Sequence, residues 1–274
     1  MYDEKQLQNR RDEKKGSVDN SYWAINASQD DGEPYTTAVE ALSYKAVEIG
    51  SCELQLGNVE AAREWFARAA LAERSYLYQL VTRWDDLGPV AQTKGGKRSL
   101  SAITNALLSG DHHLITAVSE QVLTLDGEYR DNYAETDKQY WKACTIATLA
   151  DRDDTAAAEY LNIYNGLLDD ENLDPHSDAL VRSFTGFIED DREQVSEALR
   201  QMVDYHGSII DELPSRLEPI NRVGCALLLL ARDRVMAIDI DSRYLPDALD
   251  EYGIDGEIEL PRPDYLREEL VVGE

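Results

Sequence analysis

The feature that most constrains the fold is a recurring polar turn of one to three residues between two long amphipathic segments. Apolar side chains in these segments recur at three- and four-residue steps, which is the period of one buried face of an α-helix. Turns this short make the two joined helices antiparallel neighbours. The turns lie at Gly57–Asn58, Gly110–Asp111, Asp151–Asp154 and Asp190–Asp191. The sequence therefore predicts a series of helical hairpins.

Each turn carries residues that suit the end of one helix and the start of the next. Gly57 stands where a helix commonly ends in the left-handed conformation, and Asn58, Asp111, Asp153 and Asp191 are predicted N-caps. The caps are too unevenly spaced for a strict repeat. We therefore predict an all-α fold, an array of antiparallel helical hairpins that is tetratricopeptide-like or α-solenoid-like. The pattern also allows a short extended segment near the C-terminus, at "AIDID" and "EIEL".

Three regions are expected along the chain. Residues 1–20 are mostly charged and lack a helical apolar stripe, so we predict a disordered lead-in. Residues 21–253 form a single α-helical domain, and residues 254–274 form an acidic C-terminal tail. Within the domain, "TKGGKR" (Thr93 to Arg98) is expected to be a flexible loop between the first and second hairpins.

The acidic residues are spread along the whole chain. Lys and Arg number 27 against 54 Asp and Glu, which gives a net charge of −27. Two explanations remain open: adaptation to a cytoplasm of very high salt, which few lysines and few phenylalanines favour, or a strongly basic partner such as a nuclease. Either explanation disfavours direct binding to nucleic acid, because phosphate contacts require clustered Lys and Arg.

Several features point to a cytoplasmic protein. The N-terminus has no apolar leader, and no apolar run approaches the ~18 residues of a membrane span, so neither export nor a membrane is expected. The three cysteines, Cys52, Cys144 and Cys225, are far apart and each sits among apolar residues at helical spacing. We expect buried, reduced thiols.

"MAIDIDSRYLPDALDEYG" contains the most conspicuous carboxylate pair, Asp239 and Asp241. An EF-hand needs a glycine at the sixth position, where Tyr244 stands, so the calcium interpretation fails. A magnesium site would need a phosphate cradle, which is absent from the neighbouring sequence. We interpret the stretch as an extended exit from the last core helix, with Asp239 and Asp241 turned outward.

Other catalytic and ligand-binding signatures are also missing. "TKGGKR" lacks the first glycine and the Ser or Thr of a P-loop, although its cations could touch an acidic patch of a partner. His112 and His113 are adjacent and diverge on a helix, unlike metal ligands four residues apart. The chain has no G-x-S-x-G, H-E-x-x-H or CxxC motif. We expect no catalytic residue, no cofactor and no bound metal.

Aromatic residues are the more suggestive candidates for contact with a partner. "YRDNYAETDKQYWKA" brings Tyr129, Tyr133, Tyr140 and Trp141 together at the start of a helix. Such amphipathic rings can anchor a protein interface or pack between helices. Both interpretations stay open at this point.

The segment "YWKACTIATLADRDDTAAAEYL" followed by "IDIDSRYLPDAL" resembles the immunity protein 49 family of polymorphic toxin systems. Tyr140, Trp141 and Asp151 match the first segment, and Asp241, Ser242, Tyr244, Leu245 and Pro246 match the second. The resemblance covers roughly residues 35–253. It implies an all-α, non-enzymatic protein that binds and neutralises a cognate toxin. It does not identify the toxin or the binding residues.

Two further hypotheses accompany this leading one. The chain could be a tetratricopeptide-like scaffold that docks a peptide or protein partner, or an enzyme with unrecognised carboxylate chemistry. The enzyme hypothesis predicts a pocket with convergent, perturbed Asp or Glu side chains. The candidate residues for partner binding are Tyr133, Tyr140, Trp141, Asp241, Arg243 and Tyr244.

Overall fold

The structure, a computed structural model, describes residues 3–125, 127–168, 173–212, 219–254 and 258. All regular secondary structure within these ranges is helical, which confirms the all-α prediction. The α-helices are α1 (Glu4–Asp30), α2 (Thr36–Gln55), α3 (Val59–Thr82), α4 (Pro89–Gln92), α5 (Gly95–Ser109), α6 (His112–Leu123), α7 (Glu128–Asn132), α8 (Lys138–Ala150), α9 (Asp154–Gly166), α10 (Pro175–Ile188), α11 (Arg192–Glu212) and α12 (Arg222–Asp233).

The helices form an ordered array. Helices α1, α2 and α3 pack in sequence, α3 packs on α5, and α5 packs on α8. The pairs α8/α9 and α10/α11 continue the array, while α6 lies against α3, α5 and α8. Helix α12 is buried along Gly224–Ala231 and returns to contact α5 and α11. This return contact departs from a strict solenoid, in which each repeat contacts only its neighbours.

The four predicted turns each join two consecutive helices that contact one another. Gly57 and Gly110 have positive φ angles of 78° and 67°, as a helix-ending glycine requires. The carboxylates of Asp111, Asp153 and Asp191 accept hydrogen bonds from the backbone of the next helix, which confirms them as N-caps. Asn58 holds the N-cap position but its side chain makes no capping bond; its amide donates instead to Glu53, at 2.8 Å.

The prediction of a disordered lead-in over residues 1–20 differs from the structure, which places residues 4–20 in α1. A capping box between Asp3 and Gln6 begins this helix. Its central turns are held against α2 chiefly by ion pairs. An apolar periodicity could not reveal a helix that is docked by charge.

The prediction of a flexible loop at "TKGGKR" is wrong. Helix α5 begins at Gly95, and Gly95, Gly96 and Arg98 are buried. A Cβ atom on Gly96 would lie 2.3 Å from a carboxylate oxygen of Asp137, and one on Gly95 would lie 2.4 Å from the ring of Tyr129. The two glycines therefore permit close helix packing.

The stretch after α12 behaves as an exit from the core. Asp239 and Asp241 are exposed, as predicted, while Met236 and Ile238 are buried. Residues 236–241 have no regular structure, and a single isolated bridge joins Ser242 and Leu245. A 3₁₀ turn then spans Asp247–Glu251. Most of "EIEL" and of the predicted tail 254–274 lies outside the described residues.

Candidate functional site

The aromatic candidates form a continuous series of rings between helices. Tyr140 lies between Tyr129, at 5.6 Å, and Trp141, at 5.1 Å between ring centroids. The ring of Tyr133 continues the series from Tyr129 to Trp84, at 5.8 and 6.1 Å. These contacts fix the short segment between α6 and α8 against the main core.

The rings of this series differ in how far they are exposed to solvent. Tyr140 and Trp141 are buried, and their polar atoms donate inward, the hydroxyl to the carbonyl of Leu125 and the indole to that of Ala134. Little of either ring is accessible in this structure, so their contact with a partner stays a prediction. Tyr133 is only half-buried, beside the half-buried Trp84, and keeps an accessible edge.

Asp137 connects this aromatic series to the start of α5. Its carboxylate caps α8 by accepting from the backbone of Gln139 and Tyr140, and it also accepts from the hydroxyl of Tyr129, at 2.5 Å. The same hydroxyl accepts from the backbone N–H of Gly96, at 2.7 Å. This polar junction was not predicted from the sequence, although adjacent glycines are a known signal for close backbone approach.

The C-terminal candidates lie on a different part of the molecule. The ring of Tyr244 is buried against His206, at 4.9 Å between centroids, and its backbone carbonyl accepts from Asn221. Tyr244 thus packs against the core in this structure, and its contact with a partner stays a prediction. The guanidinium of Arg243 lies 4.6 Å from that ring, and Arg243 and Asp241 are both exposed.

A polar cleft of about 550 Å³, not predicted from the sequence, lies between α2, α3 and α5. Arg98 is nearly buried in its wall and donates to Glu40, at 2.7 Å, and to Glu73, at 2.9 Å. Ser43 also donates to Glu73. The two carboxylates come from α2 and α3 and the arginine from α5, so one ion-pair network joins three helices.

The pKa values of the two cleft carboxylates move in opposite directions. Burial raises the pKa of Glu73, and this effect outweighs the favourable charge of Arg98. Burial also opposes ionisation of Glu40, but the hydrogen bond from Lys94 and the charge of Arg98 lower its pKa overall. Because Arg98 contacts both groups, neither carboxylate is a free acid or base.

An acidic patch surrounds the start of α11. An open depression of about 670 Å³ is lined by carboxylates, with Arg192 and Arg200 among them. The acidic residues of this α11 patch are Glu189, Asp190, Asp191, Glu193 and Glu197. Some cations are instead held in buried ion pairs, such as Arg98 with Glu73 and Arg234 with Asp154. Burial of these cations adds to the excess of carboxylates on the exterior.

The cysteines and histidines show no arrangement for catalysis or metal binding. All three cysteines are free and buried, as predicted. Burial raises the pKa of Cys52 to about 11 and that of Cys144 to about 12, so these thiols stay protonated. Within the described residues there is no group of three or more His, Cys, Asp or Glu side chains that could hold a metal ion.

The described helices also include none that combines the length and apolar character of a membrane span. Fold and surface together define an all-α helical array with a strongly acidic exterior. A family model described as immunity protein 49 matches residues 34–249. The chain belongs to this family of immunity proteins, as the sequence resemblance implied. Neither the curated proteins nor the solved structures gave a match to the chain.

Proposed function

We propose that this immunity protein binds a cognate toxin and neutralises it by protein–protein contact, without catalysis of its own. The observation that supports this proposal best is the distribution of charge. Cations such as Arg98 and Arg234 are turned into internal ion pairs, while the carboxylates of the α11 patch face outward. A surface of this kind attracts a basic protein and speeds its association.

The partner that fits this charge is a basic toxin domain, such as a nuclease with a phosphate-binding cleft. An acidic protein could occupy such a cleft and would not itself bind nucleic acid. Tyr133 with its neighbour Trp84 and the exposed pair Asp241 and Arg243 remain candidate contact residues. The buried Tyr140, Trp141 and Tyr244 support these positions from beneath.

The cleft at Arg98 is where a carboxylate enzyme would have its site. Glu40 and Glu73 converge there with shifted pKa values, as that hypothesis requires. Their pairing with one arginine favours a structural role, because a general base needs a lone pair that is free to accept the substrate's proton. Retained protection by a Glu73→Gln variant that still folds would support neutralisation by binding.

The decisive experiment expresses the neighbouring open reading frames in a sensitive host, with and without this protein. We expect one of them to be toxic and this protein to restore growth, whereas a version with an early stop codon does not. The purified pair should form a complex whose affinity falls as salt rises. A complete absence of toxicity or of rescue would contradict the proposal. Co-purification with unrelated complexes instead would favour the tetratricopeptide-like scaffold.

A Glu193→Lys/Glu197→Lys variant tests the contribution of the α11 patch. We expect slower association with the toxin, by about tenfold at low salt, because long-range attraction acts mainly on the association rate. A Glu60→Lys/Glu64→Lys variant, which makes the same charge change with the same four-residue spacing at exposed positions of α3, is the matched control. Equal effects of the two variants would show that the association rate depends on the net charge of the protein and not on the position of the α11 patch.

A further inference from the structure

Helix α1 separates its charges between its two sides. Arg10, Arg11, Lys14 and Lys15 reach toward α2, where they meet two glutamates and the ring of Tyr44. The acidic residues of the same helix are exposed to solvent: Glu4, Asp12, Glu13, Asp19 and Asp30. Helix α1 thus presents a basic face to the protein and an acidic face to the outside.

The face of α2 beneath it has the complementary character. Glu48 and Glu53 are 5% and 2% exposed. Arg10 pairs with Glu48, and Lys15 pairs with Glu53 at 2.6 Å. Burial alone would raise the pKa of Glu53, but hydrogen bonds from Lys15 and Asn58 outweigh it and lower that pKa. These carboxylates therefore need cationic partners when a helix covers them.

The apolar contacts of α1 are few and are separate from the main core. Val18 and Ile25 pack with a small cluster on α2 and α3, made of Val39, Leu42, Ile49 and Ala72. The main hydrophobic cluster contains none of these residues. Separation of α1 would therefore open this small cluster and leave the main core intact, as in a local opening of a folded protein.

The family match includes α2 but not α1. It begins at residue 34, after α1 ends at Asp30, so α2 belongs to the matched region and its covering helix does not. We define the α2 outer face as Val39, Leu42, Glu48, Ile49 and Glu53. This face is part of the matched region, whereas helix α1, which covers it in this chain, lies outside that region.

We propose that the α2 outer face is a docking surface for an amphipathic helix with a basic face, and that the toxin supplies such a helix in place of α1. The inference rests on the proposed function and names the part of the partner that is bound. Recognition follows the helix-in-groove mode, with apolar anchors between Val39, Leu42 and Ile49 and cations on Glu48 and Glu53. Helix α1 shows the chemistry of the occupant.

The first test uses a fluorescent synthetic peptide with the sequence of residues 3–30 as the probe. It is added to the full-length protein and to its Arg10→Gln/Lys15→Gln variant, which weakens the internal contact. We expect the peptide to bind the variant at least about fivefold more tightly, because the face is open for a larger fraction of the time. A Lys5→Gln/Lys138→Gln variant has the same change in charge at exposed positions and is the control. Equal binding to variant and control, or none, would overturn the docking surface.

The second test measures affinity for the toxin with the same proteins. The Arg10→Gln/Lys15→Gln variant should bind the toxin more tightly than the control does. Gly16→Ala should bind it about two- to fivefold more weakly, because alanine stabilises α1 at a position where nothing lies within 4 Å of the new Cβ. Neutralisation with equal affinity across these variants refutes this inference and leaves the proposed function standing. If the protein neutralises no toxin, the proposed function is refuted. The peptide experiment then still shows whether the α2 outer face binds a basic amphipathic helix.

Discussion

His176 lies at the start of α10 with its ring stacked on that of Tyr205, at 6.2 Å between centroids. Burial lowers its pKa to about 4, and the nearby charges of Lys142 and His206 act in the same direction, while Asp174 opposes them. The folded protein therefore keeps this imidazole neutral at a pH where an unfolded chain would protonate it. A neutral ring also suits a helix N-terminus, where a positive charge is unfavourable.

This shift predicts a loss of stability in mild acid. Between pH 6.5 and 4 the unfolded state binds the additional proton, so the free energy of unfolding falls as pH falls. From pH 7 to pH 5 the contribution of His176 is about 2 kcal/mol. A His176→Gln variant should lose that much less stability over this interval, measured by urea denaturation, and His113→Gln at an exposed position is the control. Parallel pH profiles for the two variants would contradict the assignment.

Single-residue predictions from the sequence were confirmed where backbone geometry sets the residue type, whereas the sequence could not supply the burial of a side chain. Gly110 and Asp111 have local roles in ending and capping helices, and periodicity located both. Tyr140 and Trp141 have the same amphipathic chemistry whether they face a partner or the core. Only the packing of α7 and α8 shows that they face inward, and no pattern along the chain contains that information.

At the scale of elements, one ion-pair network holds α2, α3 and α5 together. Arg98 is 6% exposed and Glu73 is 1% exposed, so water cannot replace either partner. Removal of one member of such a pair leaves a buried charge without compensation, whereas removal of both is often tolerated. The cost therefore depends on which partner remains.

We predict that Arg98→Met lowers the free energy of unfolding by about 3 kcal/mol, because it leaves Glu73 buried and unpaired. Arg98→Met/Glu73→Leu should recover most of this loss. Both are measured by urea denaturation, with Arg182→Met as the control for an exposed ion pair with Glu197, where the expected change is under about 0.5 kcal/mol. If the double variant is less stable than the single one, Glu73 contributes to the free energy of unfolding through contacts other than its ion pair with Arg98.

The elements themselves were predictable to the extent that an apolar stripe marks them. Helices α2, α3, α8 and α12 each bury such a stripe, and predicted turns mark the boundary between α2 and α3 and the end of α8. Helix α1 has few apolar contacts and docks by Arg10 and Lys15, so the same criterion labelled its first half disordered. The periodicity of apolar residues does not reveal long-range ion pairs, because both partners of such a pair have the sequence pattern of surface residues.

At the scale of the whole molecule, the sequence predicted the helical hairpins but not the return of α12 onto α5. The contact between α12 and α5 joins segments more than a hundred residues apart, and no local signal encodes it. The cleft at Arg98 arises from the same kind of long-range packing, between α2, α3 and α5. Both features depend on the three-dimensional arrangement of helices whose individual positions were largely foreseen.

The net charge of −27 predicts a distinct response to salt. Repulsion among the exposed carboxylates, including those of the α11 patch, destabilises the folded state, and added salt screens it. We expect the Tm to rise by about 5 °C or more between roughly 0.05 and 1 M KCl. Amide exchange in α1 should quicken over the same range, because that helix is held by ion pairs that salt weakens. A Tm indifferent to salt would contradict adaptation to a high-salt cytoplasm and leave a basic partner as the reason for the acidic exterior.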